Sequence, residues 1–373
     1  MFIFALGGLA GAVFYLPFKK VKNWAWESYW LVYALFGLLI VPCVLAFVTS
    51  PNTFSVLKAA PGKEVLYCYL CGAMWGIGGL TWGLMIRYLG VGLGLALGCG
   101  ICSAAGTIVP KILKGEFGQL FQSNWGIVSF IGVLVSLAGI VLVGMAGMSK
   151  EKELPEAEKK KSVAEYNFKK GILAAMFSGL MSSAMNFGLQ GGPDLQRLAE
   201  STAPITSPTW SGMPVLVVVL LGGLTVNLIW CLFLNVKNKT TGDYTKAATP
   251  LVGNFVFAGI AGAIWCSQFI ALKTGEPSMG STAYIGFAEL LASAILFSSV
   301  IGIILGEWKG TSTRTRALLG FGLVVLLSSA VVGGYSSKLK LDQDAAKQAV
   351  PAAIQTMTPP AAPAQPATPP TGQ

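Results

Sequence analysis

The chemistry open to this chain is set by one acidic side chain and ten polar or aromatic ones that lie inside apolar stretches. Glu289 comes about ten residues into an apolar segment that begins near Gly280, which at about 1.5 Å per helical residue puts it about half way across a hydrocarbon layer. It is the only carboxylate at that depth. A bare carboxylate there is costly, so its protonated form becomes accessible near neutral pH. A group that gains and loses a proton as access alternates couples transport to a proton gradient, and Glu289 is the candidate proton-coupling residue. Its bland alternative is a structural Glu bonded to a neighbouring helix or facing a water-filled vestibule. The position one repeat earlier is Cys99, so any such role belongs to one half of the chain alone.

The ten are Tyr15, Trp75, Trp82, Asn186, Gln190, Asn227, Asn254, Trp265, Gln268 and Tyr284. A sugar presents hydroxyls around its edge and C–H faces above and below its ring. A sugar site therefore combines amides for the edge with aromatic plates for the faces. Each residue also has a duller role, because intramembrane amides bond across helices and tryptophans collect at the membrane interface. Trp75 and Trp265 stand apart from the rest: they occupy equivalent positions in an internal repeat.

That repeat sets Gly72-Ala73-Met74-Trp75 and Gly115-Glu116-Phe117 against Gly262-Ala263-Ile264-Trp265 and Gly306-Glu307-Trp308, with Gly132 and Val133–Leu137 against Gly322 and Leu323–Leu327. If each copy crosses a membrane five times, the two enter in opposite directions, and inverted repeats place a substrate site near the midplane between halves.

The elements that must carry these residues are membrane helices. Hydrophobic residues make up 54% of the chain and charged residues 11%, against about 25% charged in soluble domains. Ten apolar stretches have the length a bilayer requires, near 2–18, 29–48, 65–86, 88–109, 125–147, 171–190, 213–234, 249–272, 280–305 and 317–335. The fold class is thus an all-α integral membrane protein, ten transmembrane helices in two inverted five-helix repeats. Residues 1–148 form the first repeat, 149–170 a charged cytoplasmic linker, 171–335 the second repeat and 336–373 a disordered Pro/Ala-rich tail. The first segment lacks a basic start and is followed by Lys19, Lys20 and Lys22, so it reads as a retained span rather than a cleaved signal. Loops on its following side carry 17 of the 26 Lys and Arg residues, which makes that side cytoplasmic and turns both termini outward. Lys58, Lys63, Lys111, Lys114, Arg197 and Lys273 fall in the opposite loops. The net charge of +10 belongs to these loops and implies no nucleic-acid partner.

Several chemistries drop out. The chain has no histidine, which removes His–zinc sites, haem ligation by His and Ser-His-Asp triads. Every Asp lies in a loop or the tail, which argues against an intramembrane aspartyl protease. The C-x-x-C pairs Cys68/Cys71 and Cys99/Cys102 sit in apolar text, where Cys acts as a small hydrophobe. Gly90, Gly94 and Gly98 line one helix face and permit close helix packing.

The run Phe14-Tyr15-Leu16-Pro17-Phe18-Lys19-Lys20-Val21-Lys22, followed by Trp24, Trp26 and Glu27, together with Gly72–Gly78 and Arg87-Tyr88-Leu89-Gly90, resembles the L-rhamnose/proton symporter family of the drug/metabolite transporter superfamily. The resemblance covers roughly residues 5–335 and is strongest in the first half; in the second it rests on Trp265, Gln268, Glu307 and Trp308. It implies ten helices in two inverted repeats and uptake of a deoxy sugar with a proton across the bacterial inner membrane, with no cofactor and no enzymatic step. The ninth segment and the Pro/Ala tail depart from the family pattern, so Glu289 stands on the residue argument alone. The same architecture also serves exporters of metabolites or drugs, and a non-transporting sugar sensor would show the same residues. Partners are accordingly a small sugar, a proton and the lipid bilayer.

Overall fold

In lipid, backbone amides must pair within their own segment, which drives apolar stretches into helices. The computed structural model describes residues 2–89, 91–153, 167–246, 248–304, 306 and 308–357, and over these it is helical with no strand. The long helices are α1 (Phe2–Val13, continued by a 3-10 turn Leu16–Lys20), α2 (Trp26–Thr49), α3 (Gly62–Leu89), α4 (Val91–Leu113), α5 (Asn124–Glu153), α6 (Phe168–Gln190), α7 (Met213–Lys237), α8 (Leu251–Gly275), α9 (Gly286–Ile304) and α10 (Thr313–Met357). Among the described residues nine helical stretches are long and apolar enough to cross a membrane, and α4 contributes a shorter apolar one, Leu97–Leu113. Gly90, Glu307, residues 154–166 of the charged linker and residues 358–373 of the tail lie outside the described residues.

One boundary differs from the sequence expectation. Residues 336–357, assigned to a disordered tail, continue α10 as helix. The reason is local: Ser336–Gln348 is rich in Leu, Lys, Ala and Gln, which favour helix, and Lys340 Nζ meets Asp344 Oδ1 at 2.7 Å one turn on.

The helices form two trios and two pairs. Helices α3 and α4 pack on α6, while α8 and α9 pack on α1; α5 pairs with α10, and α2 touches α7. Between these groups α3 crosses α7 and α2 crosses α8. Glycine makes both crossings possible. A Cβ on Gly72 would overlap the carbonyl oxygen of Val219 on α7, and one on Gly262 would overlap that of Tyr33 on α2. The partner helices do the same in return: Gly222 of α7 abuts the Tyr69 carbonyl, and a Cβ on Gly37 of α2 would stand 2.8 Å from the Gly262 carbonyl oxygen. In α2 this crossing coincides with a π-helical turn, Phe36–Ile40. Gly115 (φ 68°) and Gly306 (φ 76°) both take the left-handed conformation just beyond α4 and α9, where glycine avoids the Cβ penalty of a helix stop.

Polar bonds close the two ends separately. At the Lys22 end, Asn254 accepts from Lys22 N and donates to Lys22 O at 3.0 and 2.8 Å, Glu27 Oε1 accepts from Asn238 and Thr240 at 2.9 Å each, and Asp243 Oδ2 accepts from Ala25 N and Ser28 Oγ at 2.8 Å each. At the Lys63 end, Asn52 Nδ2 donates to the carbonyls of Ala199 and Thr202 at 2.7 and 2.8 Å, and Glu64 Oε1 accepts from Leu195 N at 2.9 Å. Near this end Lys111 donates to Glu116 at 2.7 Å, and that hydrogen bond holds the Glu116 carboxyl below the usual carboxylate range.

Candidate functional site

Trp75 on α3 and Trp265 on α8 stack face to face, with ring centroids 5.1 Å apart and planes 23° apart. Each sits three residues after the crossing glycine of its helix, so the two glycine contacts that fix α3 and α8 also aim the indoles at each other. Gly223 of α7 leaves room for the Trp75 ring, where a Cβ would collide with it.

Around Trp265, which is only 8% exposed, the aromatic surface continues. Phe269 lies one turn along α8 at 5.0 Å, and Tyr33 of α2 is at 6.1 Å. Tyr33 in turn meets Trp30 at 4.6 Å, Phe18 at 5.6 Å and Phe14 at 5.9 Å. Amides border this wall. Gln268 is buried on α8, donates from Nε2 to Trp265 O at 3.0 Å, and its Oε1 lies against Gly11 of α1, where a Cβ would stand 2.9 Å away. Asn227 Oδ1 accepts from Trp30 Nε1 at 2.9 Å and its Nδ2 donates to Gly223 O at 2.8 Å. Plates with amides at their edge suit a polyhydroxylated ring.

The other residues named from sequence are dispersed. Trp82 donates to Ser182 Oγ at 2.8 Å where α3 meets α6. Asn254 spends both ends of its amide on Lys22, so it clamps the α1–α2 turn instead of facing a ligand. Tyr15 lies beside Phe14 at the Lys22 end of α1, with Lys19 Nζ 5.9 Å from its ring. Tyr284 hydrogen-bonds Ser129 of α5, and Lys111 Nζ stands 5.1 Å over its ring. Gln190 ends α6 and lines a recess of about 470 Å3 with Lys63, Glu64, Tyr67 and Lys114. Asn186 donates to Gly106 O on α4 at 2.7 Å, while its Oδ1, like Ser103 Oγ and Thr107 Oγ1 on α4, is buried without a hydrogen-bond partner. Those three open polar atoms form a second polar patch, of which sequence reading had found only Asn186.

Glu289 is buried, 4% exposed. The chain turns through the 3-10 segment Glu276–Ile285, with Gly280 at φ 53°, and the helix proper starts at Gly286. Glu289 therefore falls in the first turn of α9, about 10 Å into the span Thr282–Ile304. Gly286, Leu290 and Ser293 face α1, and Phe287 meets Gly106 of α4. Glu289 flanks the α1 side, and no ion pair joins it to a described Lys or Arg.

Sequence reading missed Tyr33, Trp30 and Phe269, whose aromatic text blends into the apolar background, and it misplaced Lys273. That lysine is in α8, not a loop, and is 1% exposed. The missed signal was the spacing of four that puts Trp265, Phe269 and Lys273 on one stripe of α8.

Residues 1–337 match the family model of the L-rhamnose-proton symport protein. The chain is 31% identical over 334 residues to a protein of Klebsiella pneumoniae named L-rhamnose-proton symporter, spanning 88% of this chain and 95% of that one. Proteins of the same name in Cronobacter sakazakii and Escherichia coli are 31% and 30% identical over 334 residues, covering 88% of this chain and 94% and 95% of theirs.

Proposed function

This chain belongs to the L-rhamnose-proton symport protein family, and from that premise we propose that it takes up L-rhamnose, or a closely related sugar, together with a proton. The observation that carries this reading is the stacked Trp75–Trp265 pair with Gln268 beside it, plates and amide at the meeting of α3 and α8. Rhamnose suits such a wall: its methyl group and C–H faces match the indole surface, and its hydroxyls match the amides at the edge.

The working unit is ten spans in two inverted five-helix repeats, set in the bacterial inner membrane with both termini outward and the Lys22 end cytoplasmic. Support for the repeats comes from the exchange of partners. Shifting each helix of the first half to its counterpart five later turns the α3–α7 crossing into α8–α2, and the α6–α3 and α6–α4 contacts into α1–α8 and α1–α9. Transport then proceeds by rocking one trio against the other around the aromatic wall. No covalent chemistry and no cofactor enter this cycle.

The test is uptake of labelled L-rhamnose into proteoliposomes, with and without an imposed proton gradient and with unlabelled sugars in competition. Gradient-driven accumulation that excess rhamnose blocks is the expected result. Absence of uptake by a folded preparation would move the substrate elsewhere. Glu289 is the proposed proton carrier: in Glu289→Gln, accumulation driven by the gradient should vanish while exchange of labelled for unlabelled sugar continues. Accumulation equal to that of the unaltered protein would remove Glu289 from the mechanism.

A further inference from the structure

The last turn of α6 is held by three side chains on three consecutive carbonyls. Cys68 of α3 donates to Gly188 O at 3.4 Å, Lys273 of α8 to Leu189 O at 3.2 Å and Lys114, just past α4, to Gln190 O at 3.2 Å. Cys68 and Lys114 belong to the α3–α4–α6 trio that α6 already packs within. Lys273 does not. It reaches over from the α1–α8–α9 trio, between helices that are not packed along their length.

The reach is built in. Lys273 is among the largest fully buried side chains, its Nζ sits 2.5 Å from Glu276 Oε2, and its Cε fills the space left by Gly212, where a Cβ would stand 2.5 Å away. A buried ammonium is costly without partners, and here the carboxylate and the negative end of α6 both meet it. On α8 the lysine continues the stripe of Trp265 and Phe269, about 12 Å from the indole, so it stands between the aromatic wall and the Lys63 end.

We propose that Lys273 is an inter-trio latch: bonded to Leu189 O it closes the aromatic site toward the Lys63 end, and its release lets the two trios part there. Glu276 lies three residues on, where α8 passes into the 3-10 segment, so the ion pair stays with Lys273 in both states, keeping the ammonium compensated when the carbonyl is lost. This proposal rests on the transport reading for its consequence, but the contact itself is tested without any sugar.

The fully buried Cys68, one residue along from the latch on the α6 carbonyl row, is a native reporter. The experiment applies a membrane-impermeant thiol reagent from the Lys63 side to the intact protein in vesicles and quantifies each labelled cysteine by peptide mass. In Lys273→Met, Cys68 labelling should accelerate about tenfold or more, the population shift expected on losing one charge-assisted hydrogen bond. Labelling of Cys231, buried at the Lys22 end, should not change, which separates latch release from general loosening. Lys273→Arg keeps the bond and should restore the slow rate. Gradient-driven sugar accumulation should fall in Lys273→Met while exchange persists. Cys68 labelling that stays at the unaltered rate, or a rise shared equally by Cys231, overturns the latch. If Lys273→Met does not fold, Glu276→Gln decides: the released ammonium then has no carboxylate to meet it, so the latch predicts Cys68 labelling slowed about threefold or more, and an unchanged or faster rate overturns it. Should the unaltered protein move no rhamnose, the labelling results still stand or fall by themselves.

Discussion

Replacing Trp265 with alanine should reduce rhamnose uptake at low substrate by about a hundredfold, the loss expected when an anchor worth ~3 kcal/mol leaves a binding site. Two effects add. The mutation removes one plate of the stack with Trp75, and it uncovers Tyr33 and Phe269, which pack on the same indole. Trp265→Phe keeps a smaller plate in place, and its apparent affinity should fall by about tenfold. The decisive comparison is Trp82→Phe. That indole lies where α3 meets α6, bonded to Ser182, and should leave apparent affinity within about twofold. Initial rates over a range of rhamnose concentrations in proteoliposomes measure all three. If Trp82→Phe weakens affinity as much as Trp265→Ala does, the sugar does not bind at the α3–α8 stack.

The two indoles of the stack stand out in the sequence because they recur at one offset with the glycines that aim them. Repetition marks positions that do the same job twice, and these do: Gly72 and Gly262 seat equivalent crossings, Gly115 and Gly306 end helices in the same left-handed conformation. Long apolar stretches made the helices legible for a different reason, since lipid leaves the backbone no alternative. What sequence hid was the use of each polar atom. Asn254 and Gln268 are both amides of one helix, yet one is consumed by the backbone of Lys22 and the other borders the aromatic wall. Fourteen residues apart on a helix, they differ in depth by about 20 Å, and only the packing of α1 and α2 tells which is near the site. Lys273 went outside because a charge near a span end reads as loop unless its partners, Leu189 O and Glu276, are known. The tail was taken for disorder from its Pro/Ala-rich end, which hid the helix-forming text between Ser336 and Gln348.

Gly72→Ala should be among the most destabilising single-methyl changes in the molecule, costing about 3 kcal/mol or more. The added Cβ meets backbone, the carbonyl of Val219, and backbone has no rotamer by which to yield. Helices α3 and α7 must then separate along their crossing, which carries the Trp75 ring out of register with Trp265. Gly262→Ala makes the equivalent insertion against Tyr33 O with a shallower overlap, so it should be damaging but less so. Gly79→Ala, on the same helix as Gly72, meets nothing within 4 Å and should unfold no earlier than the unaltered protein. Thermal unfolding of the three variants in one detergent gives the order directly. Equal stability of Gly72→Ala and Gly79→Ala would mean that α3 and α7 do not touch at this glycine, and the geometry of the tryptophan stack would lose its foundation. A large loss in Gly72→Ala and Gly262→Ala together, with Gly79→Ala unaffected, would instead show that the α3–α7 and α8–α2 crossings are the same glycine contact made twice.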